Sequence, residues 1–136
     1  MKKFISIFAV SLLFNFSANA DSVKQYKVTI TNTTAHHVFT PTLIATHRSS
    51  FHLFEVGGVA SDGLVAQAET GDPSLKLSET QGSHGVFDAV IGDFIAGGKT
   101  ASFVITSPKR ALLSLTAMLA TTNDSFVALN GVMLPK

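Results

Sequence analysis

At 136 residues, with 14% charged residues, 46% hydrophobic residues and a net charge of +1, the chain has the length of one domain and no strong field of either sign. After the first three residues its longest basic run is Lys109-Arg110, which excludes the electrostatic footprint expected of a nucleic-acid binder. It has no cysteine, so disulfides, thiolate chemistry and lipid attachment through a thiol are all excluded.

Lys2 and Lys3 precede an apolar stretch over residues 4–14, and Ala18-Asn19-Ala20 supplies a small-x-small cleavage site. This is the pattern of a signal peptide over residues 1–20, removed before Asp21. The stretch is short of the ~20 residues a membrane span needs. Residues 111–120, the longest later apolar run, are interrupted by Ser114 and Thr116. The mature chain is therefore expected to be a single domain over residues 21–136, exported to the periplasm or secreted, with no transmembrane segment. Losing Lys2 and Lys3 turns its net charge from +1 to −1. A Lys-Lys start, this cleavage site and the lack of cysteine together point to bacterial export. In that setting Asn32-Thr33-Thr34 and Asn123-Asp124-Ser125 match the glycosylation sequon without being expected to carry glycan.

Tyr26, Val28 and Ile30 alternate with Lys27, Thr29 and Thr31, predicting a half-buried strand that ends at the turn-prone Asn32-Thr33-Thr34. Residues 38–46 form a second β-rich run with Pro41 inside it, so it is an edge strand or bends there. Phe51, Leu53 and Glu55 oppose His52, Phe54 and Val56, predicting a third strand broken by Gly57-Gly58. Ser61 can cap a short helix through Ala68, with Gly71 as its stop. Asp72 as N-cap and Pro73 as first helical residue open another. Residues 82–85 and 91–98 read as glycine-rich loops. Residues 102–106 alternate as a strand until Ser107-Pro108. Residues 111–121 and 126–134 are two more, meeting at the polar corner Thr121-Thr122-Asn123-Asp124-Ser125. Strands with turn signals between most of them favour an antiparallel sandwich over a parallel α/β sheet.

Five segments, residues 26–32 (YKVTITN), 39–47 (FTPTLIATH), 51–57 (FHLFEVG), 60–70 (ASDGLVAQAET) and 111–135, follow in an order and spacing that resembles the spondin domain family, as found in short exported bacterial proteins. The resemblance implies an all-β fold: an antiparallel, C2-like β-sandwich of about eight strands, with one or two short helices in a crossover. It also implies a non-catalytic adhesion or matrix-contact role, with an extracellular or envelope protein, a glycan or a lipid headgroup as partner. Animal members hold calcium at one end of the sandwich. The Thr-Asn-Asp-Ser-Phe corner is similar to their Ser-Pro-Asp-Trp-Phe corner, which makes Asp124 a candidate calcium ligand.

Calcium takes 6–8 oxygens, of which Asp124, Asn123 and loop carbonyls supply part. The other reading is that Asp124 and Asn123 bond their own turn amides. His36, His37, His47, His52 and His84 raise the alternative of a small periplasmic metal-binding protein, with His36 and His47 converging between neighbouring strands. Their spacing matches no ligand motif. Glu55 either orients a ligand or caps the backbone near Gly57-Gly58. No nucleophile elbow, Walker loop or dinucleotide fingerprint is present. Gly57-Gly58 and Gly97-Gly98 lack a phosphate-cradling context, and nothing in the sequence pairs Asp88 with Asp93 as glycosidase acids. The expectation is a non-enzymatic binding module whose recognition loops lie at the Asp124 end.

Overall fold

The computed structural model describes residues 22–122 and 124–136; the expected signal peptide, its cleavage point at Asp21, and Asn123 lie outside those residues. Among the described residues seven strands and two helices follow in the order β1 (Lys24–Thr31), β2 (Val38–Phe39), β3 (Leu43–His47), α1 (Asp62–Thr70), α2 (Ser74–Gln81), β4 (Val86–Ile91), β5 (Thr100–Ser107), β6 (Leu112–Ala120) and β7 (Phe126–Met133). All strand pairs are antiparallel. β1 and β5 make one layer, in register from Lys24↔Ser107 to Thr31↔Thr100. The other strands make a five-stranded sheet in which β6 pairs with β7 on one side and with β2 and β3 on the other, and β3 continues to β4. The sheets do not close into a barrel, so the fold is the expected antiparallel sandwich.

Side-chain alternation along β3 explains why all five of its residues are buried. Ile44 and Thr46 face the β1–β5 layer. There Ile44 joins Ile105, Ala111, Leu113 and Leu134 in the apolar core, with Tyr26, Val28, Ile30 and Phe103 packed around it. Each fully buried large aliphatic contributes roughly 1.5–3 kcal/mol. Thr46 Oγ1 donates to the Thr106 carbonyl at 2.8 Å, tying the layers together. The solvent face of the β1–β5 ribbon is instead laced by hydroxyl pairs, Thr29 with Ser102 at 3.0 Å and Thr31 with Thr100 at 2.9 Å.

The opposite face of β3 and β6 lies under the helices and is mixed: Leu43 and Ala45, both fully buried, stand beside His47, Ser114 and Thr116. Among the residues α1 and α2 bury, Gly63, Leu64, Gln67, Lys76 and Thr80, only Leu64 is a large aliphatic. Gln67 Nε2 donates to the Thr116 carbonyl at 3.0 Å, and Thr116 Oγ1 donates to Gln67 Oε1 at 2.7 Å. α1 starts where Ser61 Oγ accepts from the Leu64 amide. It ends at Gly71, whose φ of 77° is cheap only for a residue without Cβ.

The run over residues 38–46 takes the second of its two readings: it bends at Pro41 into β2 and β3, with β3 a central strand. Thr40 stitches the break, its amide donating to the Met118 carbonyl and its Oγ1 accepting from the Met118 amide. Residues 51–56 are not a strand: Leu53 is buried, Phe54 is half-buried beside it, and the period of two is lost. β4 was not anticipated, because Asp88 interrupts its apolar pattern. Pro73 takes the N-cap position of α2, while Asp72 Oδ1 accepts from the Ser74 amide at 2.8 Å.

Candidate functional site

The segment from residue 51 to residue 60 crosses from β3 to α1 as an irregular loop. Gly57, at φ 81°, allows the chain to double back, and the Gly58 amide donates to the Glu55 carbonyl at 3.1 Å. Leu53 plugs the loop into the protein. Asn130 Nδ2, on β7, donates to the Phe54 carbonyl at 3.1 Å, and the Phe54 ring meets Phe126 edge-on at 5.7 Å. Loop, α1 and the start of β7 enclose a cleft of about 600 Å³. A second of about 300 Å³ adjoins it, sharing Ala60, Leu64 and Phe126 and reaching Glu69 and Asp124. Val56 is 93% exposed at the rim, and Val59 is fully exposed.

The larger cleft has a polar floor. Lys76, only 7% exposed, lines it from α2. Its ammonium donates to Ser61 Oγ at 2.8 Å and to Glu79 Oε2 at 3.1 Å. Glu79 also accepts from the Ser61 hydroxyl and the Gly63 amide, both at 2.7 Å. Burial, the largest single influence, pushes the Glu79 carboxyl up. The hydrogen bonds from Ser61, Gly63 and Lys76, with the Lys76 charge, outweigh it and hold the carboxyl below its ordinary range. Gly63 permits this meeting of α1 and α2, since a Cβ there would lie 2.7 Å from the Lys76 Cα and N.

A chain of polar contacts runs from the interior to the cleft wall. His47, 1% exposed, places Nδ1 2.8 Å from the Arg48 carbonyl and Nε2 2.7 Å from Ser114 Oγ. Ser114 Oγ accepts from the Gly131 amide at 2.9 Å and lies 3.4 Å from Asn130 Oδ1. Asn130 in turn holds the Phe54 carbonyl. Both nitrogens of His47 are thereby engaged inside the fold.

The remaining predicted residues scatter. Asp124 is exposed, at φ 59°, and lines the smaller cleft with Glu69. His37 Nδ1 lies 3.1 Å from Thr121 Oγ1, while His36, His52 and His84 are exposed, His52 on the cleft. Among the described residues no group of three His, Asp or Glu side chains is placed to hold a metal ion. Glu55 is exposed on the loop rather than on a strand face. Asp88 Oδ2 accepts from the Thr106 amide and hydroxyl, bracing β4 against β5, and Asp93 is exposed. Asn32, in a matched sequon, is fully buried and donates to the His37 and Ile95 carbonyls.

The family model described as Spondin_N matches residues 11–136. The chain belongs to the Spondin_N family. Comparison with curated proteins finds no match. Among the described residues of this Spondin_N chain, no helix is long and apolar enough to cross a membrane. Sequence reasoning missed Lys76 and Phe126 as cleft residues. The one available signal was Lys76 set between Leu75 and Leu77 in a short helix, too common a feature to single out.

Proposed function

We propose that this Spondin_N chain is an exported, non-enzymatic binding module that recognises an extracellular or envelope component through the cleft between residues 51–60, α1 and the β6–β7 corner. The observation that carries this reading is the pair of adjoining clefts, walled by apolar side chains and floored by Lys76, at the loop end of a rigid sandwich. Intact envelopes are the test. Wild type should co-sediment with them and Val56→Asp should not. Equal co-sedimentation of the two, or none by either, would sink the reading.

Calcium, attached to Asp124 by family resemblance, finds two carboxylates around the smaller cleft, Asp124 and Glu69. Two are short of a shell of 6–8 oxygens, so the cleft rather than a metal bears the argument. Melting curves with and without about 10 mM calcium decide the metal's part. A rise in Tm that Asp124→Ala removes would assign Asp124 to calcium; coincident curves would leave it a turn residue.

A further inference from the structure

Residues 51–56 carry the alternation of a strand, yet they pair with none. Among the described residues the amides of His52 to Gly57 donate to no backbone acceptor, and the one backbone bond within residues 52–60 is Gly58 to Glu55. The segment lies along the larger cleft, with Val56 and Val59 exposed at its rim. Opposite stands Lys76, of whose three ammonium donors two are taken, by Ser61 and Glu79. Since Glu79 already balances the Lys76 charge, a carboxylate brought to the spare donor would meet Glu79 as well; an uncharged carbonyl meets no such repulsion. The walls, Leu53, Leu64, Phe54 and Phe126, are aliphatic or edge-on aromatic. They offer pockets for apolar side chains, beside the polar His52, Glu55 and Ser61.

We infer that the cleft binds an uncharged apolar peptide segment, whose carbonyls accept from the unpaired amides of residues 52–57 and from Lys76. This rests on the binding-module reading above and gives it a ligand class. The mode is main-chain bonding to an irregular loop, with apolar side chains entering the cleft.

The experiment follows backbone amide and Lys76 ammonium NMR signals of the full chain. The probes are an N-acetylated, C-amidated peptide alternating valine and threonine, cellotetraose, and phosphatidylglycerol vesicles. The peptide should shift residues 52–60, Phe126 and the Lys76 ammonium saturably. Lys76→Met, which removes a charge-assisted bond, should weaken it about tenfold or more. Val59→Asp, at a fully exposed site that cannot disturb folding, should also weaken it. Peptide shifts outside the cleft, or equal affinity in both variants, would overturn the inference. Cellotetraose or vesicles saturating the cleft signals while the peptide leaves them unmoved would overturn the peptide class and leave the binding module standing. Silence from all three probes would remove both.

Discussion

Glu79 accepts from Ser61, from the Gly63 amide and from Lys76, and this set governs how the helical layer meets acid. Its folded carboxyl lies below the ordinary glutamate value of 4.5, so the folded state binds fewer protons there than the unfolded chain. That stability is present above 4.5 and is lost as pH falls through the lower folded value. Glu79→Gln should therefore flatten the acid side of a stability–pH curve measured by urea titration, and an unchanged slope would contradict the assignment. Gly63→Ala would drive a Cβ against Lys76 backbone, which has little room to yield. We expect a loss of about 1–3 kcal/mol, read as a Tm lower by several degrees. Little of this was legible in the sequence. Ser61 announced itself as a cap, but its bonds to Lys76 and Glu79 depend on how two helices cross, which no local pattern encodes. Asp124 stood out for its corner, and the corner is where the sequence could place it.

At the scale of elements, α1 is docked on β6 by the reciprocal pair Gln67 and Thr116, both buried. Removing one partner strands the other without water, whereas replacing both with apolar groups does not. Gln67→Leu alone should cost about 1–3 kcal/mol, and Gln67→Leu with Thr116→Val should recover much of it. Additive losses in this double-mutant cycle would mean the pair is not coupled. The contrast between α1 and residues 51–56 explains which elements were readable. α1 carries its boundaries in its own residues, a serine cap and a glycine stop. Residues 51–56 have a strand's alternation in sequence, but a strand also needs a partner edge, and the described residues provide none. β4 is the converse: its pairing with β3 overrides the interruption at Asp88, whose carboxylate finds the Thr106 amide across the sandwich.

For the whole molecule, the antiparallel sandwich was legible because most strands alternate over a core that needs no disulfide. The third layer was not: two short helices were expected in a crossover, but not the mixed polar and apolar face on which they rest. That face has a consequence for how the protein opens. The β1–β5 side is sealed by apolar area, and parting it exposes surface that denaturant rewards. The helical side carries directional bonds, among them Gln67 to Thr116, beside a smaller apolar set, Leu64 on α1 with Leu43 and Ala45 on β3. Lifting α1 and α2 together would expose that set and leave the β1–β5 core closed, so the event should depend less steeply on denaturant and contribute less heat capacity than global unfolding. Native-state hydrogen exchange should find the helical amides opening as a separate unit, with a shallower dependence on urea than global unfolding, while β3 and β6 exchange only through global unfolding. Because α1 forms one wall of the cleft, the least cooperative part of the molecule is also the part that meets its ligand, and occupancy of the cleft should slow exchange there first.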